Sequence, residues 1–218
     1  MSKILLLLLF VVCELPLLCP AQLPAIAQAK AEINIDSLQF IYGRHKHFIK
    51  EYELQSLLAL SYYPELANTA IRFKYRRINS SAQTTMTLGS IFKKAGKKYI
   101  IYLNKDTART GMILSDAPFE AQIAVLGHEL SHVTDFKSRG FFDLALFALR
   151  YLFVKQSTKI ERSTDKNTIE HGLGWPLYQW AEYFINKSNA NKHYRKMRQR
   201  KYLHPYEILA YMESLNMR

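Results

Sequence analysis

Two histidines four residues apart, His128 and His132, bracket Glu129-Leu130-Ser131 in the middle of the mainly apolar stretch 117–136. On an α-helix, residues i and i+4 stack on one face, so the two imidazoles can meet one metal ion if the stretch is helical. The flanks agree with a helix. Asp116 is expected as the N-cap, Pro118 lies in the first turn and Glu120 sits at the positive end of the dipole. The helix is expected to run to about Lys137, with Gly140 terminating it. Glu129 lies one step round from the histidines, close enough to reach a water on the metal without ligating it. Two ligands and a general base at this spacing form the pattern of a zinc hydrolase.

Such a site needs a third ligand, and the N-terminus narrows what it can be. Met1-Ser2-Lys3 is a short positive region, Ile4–Val12 is unbroken apolar sequence, and Cys19-Pro20-Ala21 offers a small residue before Gln22. This reads as a secretory signal peptide over 1–21. A membrane anchor is the rival reading, but Glu14 and Pro16 interrupt an apolar run that is short of the ~20 residues needed to span. Both cysteines, Cys13 and Cys19, fall in the signal. The exported chain, 22–218, then has no thiol, and a metal must be held by His, Asp or Glu. The expected setting is periplasmic, extracellular or envelope-associated, with 22–218 as one domain.

Ahead of the motif, Phe48–Leu60 has the spacing of an amphipathic helix, broken at Pro64. Ala70–Arg76 alternates apolar and basic residues as a half-buried strand does, and Thr84–Leu88 is β-prone. Tyr99–Asn104, β-branched and aromatic, is the strongest strand and is expected to pair with extended substrate at a sheet edge. After the motif, Thr158–His171 reads as a helix ended by Gly172 and Gly174, and Pro176 opens another with Leu177, Trp180, Tyr183 and Phe184 on its apolar stripe. The fold class is therefore α+β, mostly helical, with a small sheet packed on the motif helix.

The chain carries a formal charge of +12. No nucleic-acid motif accompanies that charge, so a nucleic-acid partner is not expected. Two stretches are candidates for peripheral membrane contact. Residues 141–154 are the most apolar segment after the signal, and 187–201 is basic with no acid. The first reading of 141–154 is a helix buried nearly all round in the core, and the second is an interfacial helix lying on a membrane.

Candidates for the third ligand are Glu161, Asp165, Glu170 and His171. Glu161 and Asp165 share one helix face. One of them can bind the metal while the other hydrogen-bonds a ligating histidine and fixes its tautomer. The competing reading makes Thr158-x-x-Glu161 a capping box that occupies Glu161 at its own helix end.

H-E-L-S-H at 128–132, an apolar segment, and then E-R-S-T-D at 161–165 resembles the gluzincin metallopeptidases. It is similar to the branch that includes the CAAX-prenyl endopeptidases and HtpX-like proteases, over about residues 99–185. The resemblance implies a zincin-like fold with one zinc ion. His128, His132 and Glu161 would be its ligands, Glu129 the catalytic base, and Asp165 the partner of a ligating histidine. The large members carry several membrane spans, and no such spans follow residue 21 here. Their downstream His-Pro followed by an arginine finds Leu203-His204-Pro205, with Ala210 six positions beyond His204. His204 is the first candidate for stabilising the transition state, with Tyr178 and His171 as alternatives. The expected activity is zinc-dependent hydrolysis of a peptide or protein substrate. The alternative is a zinc-bound, non-catalytic, envelope-associated binding protein.

Overall fold

Alternation over 70–76 does produce a strand. In the computed structural model, which describes residues 34–93 and 95–217, Ile71 and Phe73 are buried while Arg72, Lys74 and Arg76 stay in water. Strands β1 (Lys46–His47), β2 (Ala70–Arg76), β3 (Ala82–Met86) and β4 (Lys98–Asn104) form one mixed sheet in the order β1-β2-β4-β3. β2 is parallel to both its neighbours, and β3 returns antiparallel to β4, with Thr84 opposite Ile101. The signal peptide expected over 1–21, with Cys13 and Cys19, lies outside the described residues. Ile35–Arg218 form one unit, which holds the sheet and the helices of the described residues.

β4 is paired along both sides, which corrects its expected role as the substrate-pairing edge. Tyr99, Ile101 and Leu103 are buried, and a strand this apolar is most stable between two others. The edge beside the motif helix falls instead to the more polar β3.

The helices are α1 (Ile35–Tyr42), α2 (Glu53–Ser61), α3 (Leu88–Ile91), α4 (Phe119–Ser138), α5 (Phe141–Tyr151), α6 (Val154–Thr168), α7 (Gly174–Asn186), α8 (Lys192–Lys201) and α9 (Pro205–Ser214). The unit is mostly helical with a small sheet, an α+β arrangement. α4 carries the motif through the core, packed by α2, α6, α7 and β3. Ala121, Leu126, Leu130 and Val133 are fully buried on it, so its histidines are set in a rigid apolar frame.

The ends of α4 differ from expectation in one respect. Asp116 does not cap it. Its carboxylate accepts the Ile113 N–H at 2.9 Å and closes a short turn over Leu114–Asp116. Pro118, which has no N–H to satisfy, stands at the N-cap in extended conformation. At the other end Lys97 reaches in from just before β4 and donates to the carbonyls of Phe136, at 3.0 Å, Lys137 and Arg139. A buried ammonium thus satisfies carbonyls that the helix cannot pair itself.

α5 is the largest departure. Residues 141–154 are not buried all round, and Leu144 alone of the α5 residues is buried. The segment is apolar on two faces, and the core takes one of them. Past it, α6 starts at Val154, so Thr158 lies inside a helix and the capping box at Glu161 does not form. α6 and α7 are joined through residues Ile169–Leu173, and the chain kinks at Gly172, the residue expected to end the helix. Gly172 makes this passage at φ 92°, where a Cβ would press on the Tyr62 ring at 3.2 Å.

Candidate metal centre

α4 presents His128 and His132 one turn apart, and α6 brings Glu161 against both. The Glu161 Oε2 lies 3.1 Å from His128 Nε2 and 3.5 Å from His132 Nε2. The imidazole centroids are 5.0 Å apart at 83°, edge to face. All three side chains are buried, and their donor atoms lie within 4.8 Å of one another. This is a buried group able to hold a metal ion.

Asp165, one turn after Glu161, lies behind His128. Its Oδ1 is 2.9 Å from His128 Nδ1, and its Oδ2 accepts the Leu203 N–H at 2.8 Å. A carboxylate at Nδ1 holds the proton there and leaves the Nε2 lone pair facing Glu161. A lone pair and a carboxylate oxygen 3.1 Å apart repel unless a proton or a metal cation lies between them. The electrostatics express the same demand. Burial disfavours a charged His128, but Asp165 and Glu161 outweigh it and hold its pKa up at about 10. Glu161 sits well below its ordinary range: burial pushes it up, and the two histidines more than reverse that. The pocket is thus arranged to receive positive charge.

Further contacts fix the two helices. Ser131 of the motif bonds the Tyr63 hydroxyl at 2.8 Å and the Thr168 hydroxyl of α6 at 3.0 Å. Gly127 lets Leu173 approach α4, since a Cβ there would fall 2.2 Å from Leu173 Cδ1. His132 differs from His128 in having no hydrogen-bond partner at Nδ1 among the described residues; its ring stacks near Phe136.

Glu129 is buried and held from the sheet side. Thr84 Oγ1, on β3, lies 2.7 Å from its Oε2 and 3.0 Å from its carbonyl oxygen. Together with His128, Glu129 lines a narrow crevice of about 20 Å³, room for little more than a water, bordered by Ser81, Trp180, Arg198 and Tyr202.

Two tyrosines that no sequence motif marks stand at the triad. The Tyr151 hydroxyl, from α5, donates to Glu161 Oε1. The Tyr202 ring lies 5.5 Å from that of His128, and the Arg198 guanidinium stands 4.0 Å from the Tyr202 ring centroid. Burial raises both phenol pKa values, and the charge of Glu161 raises them further, so both hydroxyls stay protonated. Tyr151 closes an apolar run and Tyr202 follows a basic one, so only proximity distinguishes them.

The structure does not bring the other candidates to the triad. The His204 ring bonds the Gln199 carbonyl at 2.9 Å and stacks on Tyr206, while its backbone opens α9. His171 stacks on Tyr63 and is held by Asn167 and Glu65. Glu170 takes the Tyr211 hydroxyl, and Tyr178 packs edge-on against Trp175.

No protein-family model, curated protein or solved structure matches the chain. The resemblance seen in the two motifs rests on those residues alone.

Proposed function

We propose that this chain is an exported zinc-dependent metalloendopeptidase of the gluzincin type, acting on a peptide or protein substrate. The convergence of His128, His132 and Glu161 from two helices, with Asp165 behind His128, carries this reading. Two imidazoles and one carboxylate are a usual catalytic zinc set, three protein ligands leaving one position open. Donors about 2.1 Å from an ion at tetrahedral corners lie roughly 3.4 Å from one another. The separations here, 3.1 and 3.5 Å, fit that spacing.

A zinc ion held by His128, His132 and Glu161 would supply a Lewis acid and make a nearby water more acidic. Glu129, buried beside His128, accepts the proton of that water and later delivers it to the leaving amine. Thr84 holds the carboxylate while it does so. Tyr151 secures the Glu161 oxygen that does not face the histidines, and Asp165 keeps His128 in one tautomer. His204 has no place in this scheme, because its ring is engaged with Gln199.

The purified exported chain, incubated with a peptide library, should cleave it, and a chelator should stop the cleavage. Glu129→Gln should retain zinc and lose hydrolysis. Full hydrolysis by Glu129→Gln removes the mechanism. Stoichiometric zinc with no hydrolysis by the unmodified chain leaves a metal-holding binding protein instead.

A further inference from the structure

α5 packs into the core through Leu144, with Phe147 half-buried on the same side. Its opposite face is apolar and uncovered in the described unit. Phe142 is 83% exposed and Leu149 53%, and Leu152 and Phe153, just beyond its end, are 79% and 60% exposed. The platform extends sideways, because Phe92 after α3 stacks on Phe141 with centroids 5.0 Å apart, and Phe92 is itself 75% exposed. Apolar surface gathered on this scale marks a contact with something apolar.

The surroundings identify the partner. Between residues 139 and 160 there are Arg139, Arg150, Lys155 and Lys159 against the single acid Asp143. One flank of α5 borders a groove of about 550 Å³ shared with α4 and α6, lined by Phe147, Arg139, Arg150 and Lys159. Arg139 is paired with Asp135. Arg150 and Lys159 have no acidic partner among the described residues. At the far end of α5 the Lys201 ammonium, from basic α8, lies over the Tyr151 ring at 5.2 Å. An apolar face rimmed by free cations is complementary to an anionic bilayer, with acyl chains meeting the phenylalanines and phosphates meeting the cations. A second copy is disfavoured, since each chain carries +12.

We infer that the outer face of α5, with Phe92 beside it, docks this protein on an anionic phospholipid surface. Among the described residues no helix is long and apolar enough to cross a membrane, and α5, with 11 residues, is well short of the ~20 a span needs, so it would lie along the surface. The docking helix reaches the metal centre through the Tyr151–Glu161 bond. The inference does not depend on the hydrolytic reading, because lipid binding is measured without substrate.

The test is co-sedimentation of the full chain with phosphatidylcholine vesicles and with vesicles of equal phosphatidylcholine and phosphatidylglycerol. Affinity for the anionic vesicles should exceed that for the neutral ones by at least about tenfold and fall with salt. Phe142→Asp with Leu149→Asp, both exposed sites, should weaken anionic-vesicle binding by at least about tenfold with an unchanged circular dichroism spectrum. Arg150→Glu with Lys159→Glu should abolish the preference for anionic lipid. Any segment before residue 34 is common to all these proteins. Unchanged vesicle binding in the Phe142/Leu149 variant overturns the inference. So does a wild-type dimer that this variant dissociates while its vesicle affinity stays the same, since the face would then join two copies.

Discussion

Thr84 and Glu129 are 45 positions apart in the chain, and the Thr84 hydroxyl lies 2.7 Å from the Glu129 carboxylate. The contact joins the edge strand of the sheet to the residue next to the first metal-facing histidine. A buried carboxylate that must take and release a proton gains direction from such a donor, because one of its oxygens is held in place. The sheet therefore orients the proposed base.

Thr84→Val removes the hydroxyl at nearly constant volume. Peptide hydrolysis should fall by about 10- to 100-fold as Glu129 loses its alignment, a part of what a general base contributes. Zinc stoichiometry should not change, since Thr84 touches none of the three ligands. Steady-state kinetics with metal analysis separates the two effects.

Asp165→Asn keeps the shape of the side chain but takes away the anion behind His128. Metal affinity should drop by about 10- to 100-fold, the usual effect of losing a partner of a ligating histidine. Titration against a competing chelator measures this. The loss should be smaller than for Glu161→Ala, which removes a ligand itself and should lower the bound stoichiometry.

Lys97→Met leaves the carbonyls at the end of α4 without their ammonium donor. The cost should be about 1–3 kcal/mol, as for other buried polar groups left unpaired. Thermal or denaturant unfolding of the variant reads it. His128 and His132 lie earlier in the helix, and the metal stoichiometry should not change.

Arg162 holds Glu207 across α6 and α9, and the His204 N–H adds a second bond to that carboxylate at 2.9 Å. Partial burial pushes the Glu207 pKa up, but these partners bring it below its ordinary 4.5. The folded protein thus binds this proton less readily than the unfolded chain does. The resulting stabilisation is full above the ordinary value and is lost as pH falls through the depressed one. Arg162→Met should flatten the acid side of the stability curve. Melting temperatures of chelator-treated wild type and variant between about pH 3 and pH 6 test this, with both proteins sharing any effect of the metal site.

The residues that can hold an ion are legible from spacing. His128 and His132 must share a face on any helix, and Glu161 and Asp165 must share another. The buried apolar alternation of β2 is equally local, and so is the strand character of Tyr99–Asn104. These properties follow from periods of 3.6 and 2 residues, which a chain expresses without reference to its distant parts. Tertiary structure decided the rest. It divided the roles of Glu161 and Asp165 by bringing one to Nε2 and the other to Nδ1 of the same histidine. It placed β4 inside the sheet and set Thr84 on Glu129. It also turned the His204 ring away and brought Tyr151 and Tyr202 to the triad. Lastly, it left one face of α5 in solvent, though composition alone placed that helix in the core. Hydrophobicity makes burial favourable, but which apolar face is covered depends on the area the other elements present, and no local pattern encodes that area.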